Sequence, residues 1–114
     1  MSDPNCLFCK IINGQIPGDF VHQDERCVVI RDLNPQAPTH VLVIPREHVA
    51  SLNEASVAQD ALLGHLLLTG AKVARQLGHE AYRTVINTGT ESGQSVFHIH
   101  VHVLGGRSLR WPPG

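Results

Sequence analysis

Val96-Phe97-His98-Ile99-His100-Val101-His102-Val103-Leu104 is the stretch whose reading decides the fold. From Phe97 onward polar and apolar residues alternate strictly, which is the period of a β-strand. Successive side chains of a strand point to opposite faces. His98, His100 and His102 are therefore expected on one face. Phe97, Ile99, Val101 and Val103 are expected on the other, against an apolar core. Such a row of imidazoles suits chemistry, a metal, or a merely solvated face. A solvated face draws more often on Thr, Lys, Glu and Ser than on one titratable ring repeated. Two histidines at i and i+2 can ligate one zinc. The outer pair would lie about 13 Å apart at about 3.3 Å per residue, so one ion does not hold all three.

Working outward, the rest of the chain reads as an α+β design. Leu7, Phe8, Ile11 and Ile12 have helical spacing, and Gly14 closes a short N-terminal helix over Leu7 to Asn13. Phe20 to Gln23 and Cys27 to Asp32 read as strands around a hairpin at Asp24-Glu25-Arg26. Val41-Leu42-Val43-Ile44 is a buried strand stopped by Pro45. One long helix is expected from about Val57 to Leu77, with Ser56 and Gln59 as a capping box and Gly78 beyond its end. Leu63, Leu66, Leu67, Gly70, Val73, Ala74 and Leu77 recur along it at 3–4 spacing, widened by Leu62 and Leu68. A helix apolar over so much of its circumference is buried on two sides, here its own sheet and a second protomer. Arg83 to Asn87 is a fourth strand and the histidine stretch a fifth. The expectation is an antiparallel five-stranded sheet with one long helix and one short one, as a single domain over residues 1–114.

Composition narrows the function. The chain has 114 residues, 42% hydrophobic, with a net charge of -1. That balance gives no case for nucleic-acid or membrane attraction. The N-terminal residues lack the basic and apolar regions of a signal peptide, so a cytoplasmic location is expected. Three cysteines, Cys6, Cys9 and Cys27, do not make a disulfide framework. Cys27 reads as core, and His22, His65 and His79 as surface or packing residues.

The chemistry comes from the loop that feeds the histidines. Gly93-Gln94-Ser95 lets backbone N–H groups approach phosphate oxygens, and the Ser95 hydroxyl adds a donor. A phosphate there lies beside neutral imidazoles, which are available as nucleophiles at pH 7. His100, flanked on both sides, is best placed for attack. His102 is placed to donate to a phosphoryl oxygen. No cluster of Asp and Glu accompanies the loop, so a two-metal mechanism lacks its ligands.

His98-Ile99-His100-Val101-His102-Val103-Leu104 resembles the histidine-triad pattern. The resemblance extends to Asp32-Leu33-Asn34-Pro35-Gln36-Ala37-Pro38-Thr39-His40, to Ile44-Pro45, to Gly93-Gln94-Ser95-Val96-Phe97 and to Trp111-Pro112-Pro113-Gly114. Together these look like the Hint branch of the histidine triad (HIT) superfamily, from Phe8 to Gly114. The resemblance implies a HIT-like fold and a purine nucleoside phosphoramidase acting through a nucleotidyl-histidine. It implies His100 as nucleophile, His102 on the α-phosphate, and His98 and His40 orienting the central ring. Ser95 would bind phosphate and assist the leaving group, with Asn87, Gly93 and Gln94 holding the phosphate. Asp32 would bind the ribose, and Phe8, Ile11, Ile16 and Leu33 would line the base pocket. The family's homodimer and its C-terminal tail, here with Trp111, are implied as well, the tail reaching the partner's active site. Cys6-Leu7-Phe8-Cys9 resembles members that bind one structural zinc, with His48 and His98 at the matching positions. Catalysis would need no cofactor. Dinucleoside polyphosphate hydrolysis and a non-catalytic nucleotide-binding module are the other readings.

Overall fold

The computed structural model describes residues 2–114, and its architecture is the α+β one expected from the sequence. The short helix α1 spans Leu7–Ile12 and the long helix α2 Asp60–Gln76. The strands are β1 (Phe20–Gln23), β2 (Cys27–Arg31), β3 (Thr39–Pro45), β4 (Tyr82–Val85) and β5 (Val101–Gly105). They form one sheet in the order β1-β2-β3-β5-β4, antiparallel throughout. No helix among the described residues is long and apolar enough to cross a membrane.

The central strand explains why the sheet is covered on both faces. β3 carries Val41-Leu42-Val43-Ile44 without a polar interruption, and all four are buried. Val41 and Val43 join Val29, Val101 and Val103 against Leu62, Leu66, Val73 and Ala74 of α2. Leu42 and Ile44 join Val28 and Ile30 against Phe8 and Ile11 of α1. Gly70 lets α2 approach closely: a Cβ there would lie 3.1 Å from Val103. The outer side of α2 stays uncovered in one chain, with Leu68 74% exposed and Leu67 43%.

Several boundaries shift from the sequence reading, and three of the shifts are informative. The histidine strand does not run from Phe97; it begins at Val101. The β3–β5 register pairs Val43 with Val101 and would next place Ile99 opposite Pro45. Pro45 has no N–H to offer the ladder. Ile99 instead donates to the carbonyl of Val49 at 2.7 Å. Phe97 consequently leaves the core and is 45% exposed. β4 ends at Val85 rather than Asn87, because its last partner on β5 is His102. The Ser56–Gln59 capping box is present, but it caps a single 3₁₀ turn, Val57–Gln59, and α2 proper starts at Asp60. The other end of α2 is as expected. Gly78 has φ 93°, and Gly78 and His79 donate back to Arg75 and Ala74 in a Schellman closure.

Asp24 ties the β1–β2 turn to α2. Its Oδ1 accepts from the N–H groups of Arg26 and Cys27 at 2.8 Å each. Its Oδ2 meets Nε2 of His22 at 3.0 Å and of His65 at 2.9 Å. Burial alone would raise this carboxyl. The hydrogen bonds from His22, Arg26, His65 and Cys27 outweigh it and hold Asp24 well below the usual carboxylate range. Asp24 thus ionises more readily folded than unfolded. Its contribution is complete above about pH 4 and drains away as pH falls toward the depressed folded value. Asp24→Asn is expected to cost about 2 kcal/mol at pH 7. That deficit should shrink at pH 3 in denaturant titrations; a constant deficit would contradict the assignment.

Candidate active site

The register sets the histidines on the α1 face of the sheet. His102 pairs with Leu42 and shares its face, and His40 lies two residues before Leu42 on the same side of β3. The rings of His100 and His102 are 5.0 Å apart, and those of His40 and His102 5.2 Å. Phe8 of α1 stands edge-on to His100, with centroids 5.0 Å apart at 87°.

Hydrogen bonds assign each ring a tautomer. His100 donates from Nδ1 to the main-chain carbonyl of His98 at 2.8 Å, which leaves the Nε2 lone pair free. The N–H of Gln36 donates to Nδ1 of His40 at 3.0 Å, so His40 carries its proton on Nε2. That proton goes to Nδ1 of His102 at 2.9 Å, with Asp32 Oδ2 also 3.4 Å from it. His102 is left with an Nε2–H donor. His40 therefore acts on His102 rather than on the central ring. His100 is oriented by the carbonyl of His98, not by its imidazole.

All these rings are kept neutral. Burial lowers the pKa of His100 and of His40. His102 is pushed down to about 4 by burial, then by the neighbouring His100 and His40. His98, fully buried, is likewise brought down to about 4, chiefly by burial.

A cleft of about 280 Å³ opens over His100 and His102. Phe8, Ile11, Ile30, Leu33 and Leu42 line its apolar end. Asp32 sits beside that end, and Asn87, Gly93 and Ser95 lie with the two histidines. Gly93 has φ 111°, a backbone conformation that favours glycine, and this turns the loop toward Asn87. Of the residues expected here, Ile16, Gln94 and Trp111 do not line the cleft. Ile16 packs on the α1 core, and Trp111 is 83% exposed in the single chain. Gln94 is buried as a brace. It accepts from the N–H of Gly89 and donates to the carbonyls of Ala50 and Val96. Besides Leu7, Arg31 and Val96, which neighbour expected residues in the chain, the sequence reading missed Ile30 and Leu42. The alternation of β2 and β3, set in register with His102, is the signal that finds them.

The ring of His98 points away from the cleft. Its Nε2 donates to the carbonyl of Pro45 at 2.7 Å, which aims the Nδ1 lone pair at Cys6 Sγ (3.3 Å) and Cys9 Sγ (3.5 Å). His48 Nδ1 lies 3.4 Å from Cys9 Sγ and 3.1 Å from His98 Nδ1. These four donors are close enough to hold one metal ion. Bonds of about 2.3 Å to sulfur and 2.0–2.1 Å to nitrogen give tetrahedral edges of about 3.3–3.8 Å, so the donor set fits.

A sheet with three histidines on and beside its penultimate strand, two of them lining an apolar-to-polar cleft, defines the class. The model of the family described as "Scavenger mRNA decapping enzyme C-term binding" matches residues 5–109. An uncharacterised HIT-like protein of Synechococcus elongatus is 57% identical over 95% of this chain and 96% of its own length. A HIT family hydrolase from Legionella pneumophila superposes with a TM-score of 0.94 at 46% identity, covering 96% of this chain and all of that one. A histidine triad protein from Clostridium difficile gives 0.93 at 38% identity, covering 96% and 97%. The chain belongs to the HIT family.

Proposed function

We propose that the protein is a hydrolase of purine nucleoside phosphoramidates. The observation that carries this reading is the free Nε2 lone pair of a neutral, buried His100, held by the carbonyl of His98 at the polar end of the cleft. Solved relatives named HIT family hydrolases support the reaction class. The base enters between Phe8, Ile11 and Leu42, and Asp32 takes the ribose hydroxyls. The phosphate rests on Gly93, Asn87 and the Nε2–H of His102. His100 Nε2 attacks phosphorus, and the P–N bond to the amine breaks with its electron pair on nitrogen. The departing amine takes the proton of the Ser95 hydroxyl, which recovers one from solvent. Water then attacks the nucleotidyl-histidine, loses a proton to solvent, and releases the nucleoside monophosphate with His100 restored.

Cys6, Cys9, His48 and His98 would hold a zinc ion in this reading. It would serve as a staple that pins α1 to the segment carrying the histidines, and no catalytic step runs through it. The exposed Leu67 and Leu68 of α2 would be covered by a second copy.

Adenosine 5′-phosphoramidate should be turned over by the protein, and His100→Ala should lower the rate by at least about a thousandfold while nucleotide still binds. A preference for a diadenosine polyphosphate, or full activity in the variant, would contradict the reading. Native mass spectrometry should show a dimer with two zinc ions, and Cys6→Ser with Cys9→Ser should remove the metal and lower the melting temperature. A metal-free monomer of unchanged stability would defeat both assignments.

A further inference from the structure

A second cleft of about 280 Å³ lies on the far side of Ser95 and has no part in the chemistry above. It shares Leu7, Ser95 and Val96 with the nucleotide cleft, so the two adjoin along these residues. Its outer walls are Asp3, Asn5, His48 and Phe97. Phe97 is there because the histidine segment leaves the sheet before Val101, which turns this ring out of the core.

Asp3 is the single carboxylate on this wall, and it is held in place. Its N–H donates to Cys9 Sγ at 3.3 Å, and its carbonyl accepts from the N–H of Cys6 at 3.0 Å. Its Oδ1 accepts from the N–H of Asn5 at 2.9 Å, and its Oδ2 lies 4.0 Å from His48 Nε2. The N-terminal arm is thereby fastened to the Cys–His cluster, and a negative charge is fixed at one end of the cleft.

We propose that this second cleft is the leaving-group subsite, and that it takes an amine whose tail carries a positive charge. The proposal rests on the phosphoramidase reading and adds the amine half of the substrate to it. The nucleoside is fixed at the other end by the apolar pocket and Asp32. The substituent beyond Ser95 then runs across Leu7 and Phe97, with its methylenes on apolar surface and its charged end toward Asp3. A half-exposed carboxylate gives a small discrimination, screened by salt.

Three adenosine 5′-phosphoramidates of equal chain length test this, with amines ending in an ammonium, a methyl or a carboxylate group. In the wild type, kcat/KM should be about threefold higher for the ammonium tail than for the methyl tail, and lower for the carboxylate tail. The difference should fade at about 1 M salt. Asp3→Asn should bring the ratios near one, and Asp3→Lys should reverse their order. Each variant's rate on the methyl-tailed substrate is its own reference, so a folding defect does not imitate the effect. Turnover of all three without discrimination, or an unchanged order in Asp3→Lys, would overturn the subsite and leave the phosphoramidase reading standing. Turnover of none would overturn both.

Discussion

His98 is the residue on which the two halves of the site depend. Its ring, anchored by Nε2 on the carbonyl of Pro45, faces Cys6, Cys9 and His48. Its own carbonyl fixes the tautomer of His100 two residues on. One residue therefore joins the Cys–His cluster through its side chain and His100 through its main chain. The arrangement requires the backbone to leave the regular strand at this point. A continued ladder would need an N–H from Pro45, which has none. The proline that stops the pairing also supplies the acceptor that aims His98.

The same link explains how so short a helix as α1 walls the cleft. Six residues do not make a stable helix alone. Cys6 at its N-cap and Cys9 in its first turn hold it against His98, while Phe8 and Ile11 pack on the sheet beside the cleft. Phe8 touches both His98 and His100 edge-on. Loosening the cysteine cluster would release the apolar lining of the cleft together with the packing around His100. The N-terminal arm with Asp3 hangs on the same cluster. The apolar lining, His100 and the second cleft are thus mechanically connected.

Much of this was legible in the sequence, for identifiable reasons. The unbroken run of β3 and the 3–4 spacing of α2 are periodic over many residues, so strand count, helix and class follow. The cluster of Cys6, Cys9, His48 and His98 was legible only by resemblance, since four residues spread over three segments carry no periodicity. The boundaries near Phe97 were not legible. Alternation describes side chains, while the strand ended because of a missing backbone donor on another strand. Gln94 looks from the sequence like a phosphate contact, and its burial as a brace depends on where Ala50 falls in space. Main-chain groups such as the carbonyl of His98 and the N–H of Gln36 set the tautomers, and no side-chain pattern reports them.

The central claim is that His100, through Nε2, forms the covalent bond to phosphorus. The direct measurement is mass spectrometry of the protein quenched in acid-free denaturant during turnover of adenosine 5′-phosphoramidate, followed by peptide mapping. The account predicts an adduct of one nucleoside monophosphate per chain, located on His100. An adduct on His98 or His102, or none under conditions where product accumulates, would contradict it.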